Sequence, residues 1–233
     1  MARITRKELK TDRFALEVGQ TVTFFEEHQK EIIRYGAAAA VVIALVFGYV
    51  VYQRHQSAAR EEALYRAIQI QESSVGPPTP GMNVNFPTQD SKDQAATVAF
   101  TAIQKQDPGT KEGEIAEYYL GCIKSDQGKL SDAEKSFLEV ADKGDANYAS
   151  LARLSLAQIY FADGRTAQAE KLLRDLMAHP TLFVSKDQAA ITLARDLLYR
   201  NPAEARKLLD PLRQVQGNVG QVALQLYSQL PAK

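Results

Sequence analysis

The chain has 233 residues, 28 of them basic and 28 acidic, and this length allows one soluble domain of ordinary size besides a membrane anchor. A net charge of zero disfavours nucleic acid as a partner, because the neutralisation of phosphates supplies most of that affinity. The single cysteine, Cys122, excludes both an intramolecular disulfide and a metal site built from cysteines.

The first 34 residues are predicted to be a tail that contains an amphipathic helix. Residues 5–8 (TRKE) have the pattern of a helix capping box. Four apolar residues then fall on one helix face: Phe14, Val18, Val22 and Phe25. Such a face suits a helix that lies on the inner leaflet or docks a partner there. An ordinary helix leading into a membrane span is the alternative.

Residues 35–52, YGAAAAVVIALVFGYVVY, are predicted to form one transmembrane helix. They carry no charge, and a helix of this length spans about 27 Å, close to the thickness of a hydrocarbon core. Tyrosines stand at both ends, as they do at membrane interfaces. A cleaved signal peptide is disfavoured because the apolar run is long and starts late. A buried core helix is disfavoured because so small a domain does not enclose a helix that is apolar all round.

The basic residues before the span predict that the tail is cytoplasmic. They are Arg3, Arg6, Lys7, Lys10, Arg13, Lys30 and Arg34. Lysine and arginine in short flanking segments stay inside, whereas a long domain is translocated largely regardless of its charge. We therefore expect a single-pass protein of a bacterial inner membrane, with its N-terminus cytoplasmic and its C-terminal domain periplasmic.

Residues 53–111 are predicted to be membrane-proximal helices interrupted by a loop. Residues 56–73 contain no helix breaker and continue the membrane helix, and residues 91–105 return to a helical pattern. Residues 75–90 contain four prolines and two glycines, which predict a loop. The two helices together would form an incomplete first unit in front of the array that follows.

Residues 112–233 are predicted to form an array of helical hairpins, because the sequence repeats itself with a period of 36 residues. The repeated positions are Leu120 and Leu156, Gly128 and Gly164, and Ala133, Ala169 and Ala205. In the third copy Asn201-Pro202 replaces the glycine turn. Residues 221–230 are predicted to be a terminal capping helix. No copy buries its apolar face alone, so the copies must stack.

This pattern resembles the tetratricopeptide repeat, a 34-residue unit of two antiparallel helices. The resemblance rests on the pairs Leu120-Gly121 and Leu156-Ala157, on the turn glycines and on the second-helix alanines. The period is longer here, the family's tryptophan is absent and the third copy is degenerate. The resemblance implies an all-α fold, in which a single transmembrane helix precedes a tetratricopeptide-like array of helical hairpins.

The resemblance also implies a partner-binding groove, because the first helix of each hairpin lines the concave face in this family. The family's concave positions correspond to Tyr118, Cys122, Ser125, Leu154, Gln158 and Phe161. This set is apolar and aromatic without a basic cluster, so it suits an unfolded or apolar segment of a partner. The alternative is that the C-terminal helices cover these positions as part of the core.

The architecture resembles the ancillary subunit of the bacterial SecYEG translocon, which is anchored in the inner membrane and helps exported proteins alongside periplasmic chaperones. This resemblance implies a chaperone-like adaptor whose partners are translocon subunits, exported clients or chaperones. A structural scaffold for an envelope-assembly or cell-division complex is the alternative. The sequence contains no phosphate loop, paired-histidine motif or nucleophile elbow, so neither an enzyme nor a cofactor is expected.

Overall fold

The computed structural model describes the backbone of residues 6–76 and 85–231, and within these ranges the side chains of residue 30 and of residues 33 onward. Nine helices and one pair of very short strands make up the described chain. The described residues divide into two compact units, one up to residue 58 and one from residue 59. The predicted all-α fold with one long apolar helix and a repeat array is confirmed.

Helix α1 spans Arg6–Glu72, and the first unit consists of its part up to residue 58. Large apolar side chains between residues 33 and 52 are exposed, with Phe47 at 69% and Leu45 at 68%. A window in this helix has a mean hydropathy of 2.0 and no buried residue. Within the described residues, α1 is thus the one helix long and apolar enough to cross a membrane. The predicted capping box and the apolar face of residues 14–25 lie outside the described side chains.

The second unit begins with the C-terminal part of α1 and with α2, Gln89–Gln106. Two-residue strands that were not predicted, β1 (Ser74–Val75) and β2 (Asn85–Phe86), pair in parallel between these helices. Apolar residues of α1 and α2 form one cluster with α3, Lys111–Asp126. Its buried members are Leu64, Ala67, Ala96, Phe100, Ile103, Ile115, Ala116, Leu120 and Ile123. The C-terminal part of α1 therefore packs with α2, and both contact α3, the first helix of the array.

Three helical hairpins and a final helix follow. The first pairs α3 with α4 (Leu130–Lys143), and the second pairs α5 (Ala146–Ala162) with α6 (Thr166–Ala178). The third pairs α7 (Lys186–Arg200) with α8 (Pro202–Leu212), and α9 (Asn218–Ser228) packs on both. A second hydrophobic cluster runs through all three hairpins into α9. Because each hairpin buries its apolar face against the next, the repeats are stable only as a stack.

The ends of the helices follow from local sequence. The first helices of the hairpins are each preceded by an N-cap residue, namely Thr110, Asp145 and Ser185. Their side-chain oxygens accept hydrogen bonds from backbone N–H groups of the first turn. Gly128 and Gly164 form the turns with φ of 75° and 74°, a left-handed conformation in which a Cβ is strained. In the third hairpin, Asn201 caps α8 and Pro202 takes its first position instead.

The period of 36 residues places a buried alanine in the second helix of each hairpin. Ala133, Ala169 and Ala205 are all 0% exposed, so helices approach closely at each of them. Phe137, Leu173 and Leu209 lie one turn later and are buried to 2% exposure or less. A small and a large buried residue therefore recur together in each second helix.

Candidate functional site

A cleft opens between the first helices of two neighbouring hairpins, α3 and α5. Its volume is about 300 Å³, and we refer to it as the α3–α5 cleft. Helix α3 contributes Cys122, Ser125 and Asp126, and helix α5 contributes Ser155, Gln158, Ile159 and Ala162. Leu130 and Phe137 of α4 complete the lining.

Helical periodicity explains why the residues from α3 form one wall of the cleft and those from α5 form the other. Residues 122, 125 and 126 of α3 are spaced three and four apart, as are residues 155, 158, 159 and 162 of α5, so each set lies on one helix face. Phe137 and Ile159 are 2% and 4% exposed and form an apolar floor. Asp126, Gln158 and Ala162 are exposed at the rim. The cleft thus combines an apolar floor with a polar rim.

Three of the six groove residues predicted from the sequence meet in this cleft. Cys122, Ser125 and Gln158 come from two different hairpins and line the same space. Tyr118 is half-buried beside it, where its hydroxyl interacts with the side chains of Cys122 and Ser155. Phe161 is half-buried and packs against the hydrophobic core. Three of the six predicted residues are therefore among the nine that line this cleft.

Leu154 does not line the cleft, which corrects its assignment to an open face. It is 7% exposed and belongs to the core cluster. Burying a leucine side chain gains about 2 kcal/mol, so a leucine at the edge of a helix face is drawn into the core when neighbouring helices offer contact. The alternative that some of the predicted positions are core therefore holds for this residue.

Six lining residues were not predicted from the sequence, and three of them, Asp126, Ser155 and Ala162, lie on α3 and α5 near predicted positions. The signal was present, because Ser155 and Ala162 precede and follow Gln158 by one turn and therefore share its face. Asp126 follows Ser125 directly at the end of α3. Extending each predicted position by one turn along its helix would have found all three.

Two titratable groups in and beside the cleft wall, the Cys122 thiol and the Tyr118 hydroxyl, have raised pKa values. Burial raises the pKa of the Cys122 thiol to about 11, a shift that a hydrogen bond from Tyr118 opposes only in part. Burial also raises the pKa of Tyr118. A thiol with so high a pKa stays protonated at neutral pH and is a poor nucleophile. Cys122 therefore contributes shape and apolar surface to the cleft.

Aromatic contacts hold α3 and α5 in place around the cleft. The ring of Tyr118 lies 5.5 Å from that of Tyr148 on α5 and 5.8 Å from that of Phe137 on α4. Tyr148 in turn meets Phe183 edge-on at 5.4 Å. Such pairs add specific geometry to apolar burial. The two helices that form the cleft are therefore joined by an aromatic contact, that between Tyr118 and Tyr148.

A second depression, of about 270 Å³, lies where α3 and α4 meet the loop before α3. Its carboxylates include Glu117 and Glu139, which pair with Lys124 at 3.8 Å and Lys143 at 3.0 Å. It contains none of the predicted groove residues. In the part of the chain that the structure describes, no group of three His, Cys, Asp or Glu side chains is arranged to hold a metal ion.

Comparison with known families matches residues 23–188 to the tetratricopeptide repeat-like domain. The match covers more than half of the chain. It begins before the apolar segment of α1, contains both walls of the α3–α5 cleft and ends within α7. No curated protein and no solved structure matches the chain.

Proposed function

This chain belongs to the tetratricopeptide repeat-like domain family, and we propose that it is a membrane-anchored module that binds other proteins. Domains of this family generally mediate protein–protein interactions and are typically non-catalytic. The observation that carries the proposal is the α3–α5 cleft, which gathers Cys122, Ser125 and Gln158 from two hairpins into one lined space.

The chemistry of the cleft suits an extended polypeptide segment. Its polar side chains, Ser125, Ser155 and Gln158, offer donors and acceptors to peptide groups, which are the same in every sequence. The floor of Phe137 and Ile159 accepts an apolar side chain of the segment. A volume of about 300 Å³ accommodates a few residues and not a folded domain. The remaining predicted groove residues, Tyr118 and Phe161, would support the walls.

We further propose that the protein is held in a bacterial inner membrane by residues 35–52. The family match starts at residue 23, so the matched region includes this apolar segment, which supports the proposal. The seven basic residues before it favour a cytoplasmic tail, residues 1–34. Residues 53–111 would then form the membrane-proximal part, and the repeats, residues 112–233, would face the periplasm.

Within this topology, the proposed role is a chaperone-like adaptor that assists secreted or envelope proteins near the translocon. The support is architectural: a short tail, one apolar helix and a small repeat array, as in the ancillary subunit of the SecYEG translocon. A scaffold for an envelope-assembly or cell-division complex shares this architecture. The two roles differ in what occupies the cleft, since an adaptor binds unfolded clients there and a scaffold binds folded components elsewhere.

Site-specific photo-crosslinking of the full-length protein in cells tests the proposal. A photoreactive amino acid replaces Gln158 at the rim of the cleft, and in a matched control it replaces Lys171, which is exposed on α6. We expect exported proteins or translocon subunits to crosslink from position 158 and not from position 171. Envelope-assembly or cell-division proteins that crosslink from position 171, with no product from position 158, would favour the scaffold. If the same proteins crosslink from both positions and no exported client is among them, the cleft is not the binding site.

A further inference from the structure

The α3–α5 cleft is lined by one charged side chain, that of Asp126. Asp126 is the last residue of α3 and is exposed at the rim. Its carboxylate makes no ion pair with any residue that the structure describes. A negative charge therefore stands at the entrance of an otherwise uncharged cleft.

Three basic side chains, those of Lys124, Lys129 and Arg165, bind partners other than Asp126. Lys124 donates to Ser136 Oγ at 2.7 Å, and Lys129 donates to Gln127 Oε1 at 2.8 Å. Arg165 binds both carboxylate oxygens of Glu134 at 2.7 Å. Lys124 and Arg165 also pair with the carboxylates of Glu117 and Glu134, and none of the three cations forms an ion pair with Asp126.

We infer that the segment bound in the α3–α5 cleft presents a lysine or arginine side chain to Asp126, next to an uncharged residue that enters the cleft. This inference rests on the proposed function and specifies the partner's chemistry. Charge complementarity of this kind selects among partners and orients the bound chain more than it adds affinity. Segments that present an acidic residue at the same place are repelled.

Fluorescence polarisation with the full-length protein in detergent tests the inference. The probes are two short labelled peptides, identical stretches of valine, serine and glycine except that the central residue is lysine in one and glutamate in the other. We expect the lysine peptide to bind about threefold more tightly, the range of an exposed ion pair. Because salt screens exposed charges, the preference should disappear at about 0.5 M salt.

Two variants locate the effect. Asp126→Asn should remove the preference for the lysine peptide. The control is Asp142→Asn, since Asp142 is an exposed acid on α4 that does not line the cleft, and this variant should retain the preference. A preference that survives Asp126→Asn overturns the inference. Equal binding of both peptides by the parent protein also overturns the inference. If Gln158→Trp then abolishes the binding of both peptides, the cleft remains the binding site and only the preference for a basic residue is wrong. Binding of neither peptide overturns the inference and the proposed cleft together.

Discussion

Gly121 on α3 lies so close to Phe137 on α4 that a Cβ atom at position 121 would be 2.8 Å from Phe137 Cε1. Carbon atoms pack best at about 3.5–4.0 Å, so no side chain fits there without displacing the ring. Phe137 is 2% exposed and forms part of the floor of the α3–α5 cleft. The close approach of the two helices and the shape of the cleft therefore depend on the same contact.

Gly121→Val should lower the free energy of unfolding by about 1–3 kcal/mol, because the added atoms overpack a site closed by a buried ring. Ala102→Val, on an exposed position of α2, should cost about 0.5 kcal/mol, the difference in helix propensity. Circular dichroism during denaturant unfolding of the full-length protein in detergent measures both. Combining Gly121→Val with Phe137→Leu should cost less than the two single changes added together. Strict additivity would mean that the two residues do not constrain each other.

Ala169→Leu should also cost about 1–3 kcal/mol, since Ala169 is 0% exposed at a helix crossing and has no room for three more carbon atoms. Lys171→Ala on the same helix is the control, because Lys171 is exposed and its loss should change stability by about 0.5 kcal/mol or less. Thermal melts compare the two variants with the parent. Equal melting temperatures for Ala169→Leu and the parent would show that the repeat register is wrong.

Leu154→Glu should unfold or strongly destabilise the repeats, by about 3 kcal/mol or more, because it places a charge in the core without a partner. Gln158→Glu, one turn along α5, should change stability by about 0.5 kcal/mol or less, since Gln158 is exposed at the rim. Melting curves separate a core position from a cleft position on the same helix. A stable Leu154→Glu protein would return Leu154 to the open face.

Glu134 binds the guanidinium of Arg165 through two hydrogen bonds, which hold the pKa of its carboxyl below the usual 4.5. A carboxyl whose pKa is lowered on folding stabilises the folded state above its unfolded pKa and loses that contribution as the pH falls through the folded value. Glu134→Gln should therefore cost about 1 kcal/mol at pH 7, and the difference from the parent should shrink below about pH 4.5.

Glu139→Gln is the matched control for the pH experiment. Glu139 pairs with Lys143 at 3.0 Å, but both side chains are about half exposed, so the loss should be about 0.5 kcal/mol or less. Unfolding free energies from denaturant titrations between pH 3 and pH 7 report both variants. A difference between Glu134→Gln and the parent that stays constant over this range would contradict the role assigned to the Arg165 pair.

Alkaline phosphatase fused after Lys233 should be active in a bacterial host, because this enzyme requires the periplasm and the basic tail should hold the N-terminus in the cytoplasm. The same reporter fused after Arg34, ahead of the span, should be inactive. Enzyme assays on intact cells give the answer. An active reporter at position 34 together with an inactive one at position 233 would reverse the proposed orientation.

Many features of the fold follow from short stretches of the sequence. The turn glycines, Gly128 and Gly164, require φ values that other residues adopt only with strain, so they identify the hairpins from the sequence. The alanines of the second helices recur at the same spacing because each copy must pack against the next one in the same way. The apolar run of residues 35–52 identifies the membrane-type segment by length and composition.

The lining of the cleft is decided between elements and not within them. Leu154 and Gln158 lie one turn apart on α5, yet one is 7% exposed in the core and the other is exposed at the rim. Sequence periodicity places both on adjoining parts of one helix, but which part faces a neighbour depends on how closely and at what angle the next helices cross. One such approach, between α3 and α4, depends on the contact of Gly121 with Phe137. The sequence by itself therefore determined the hairpins, their order and the apolar segment, because those follow from local backbone and burial preferences. Only the tertiary structure decided which residues of α3 and α5 surround an open space, because an open space is what remains after the helices have packed.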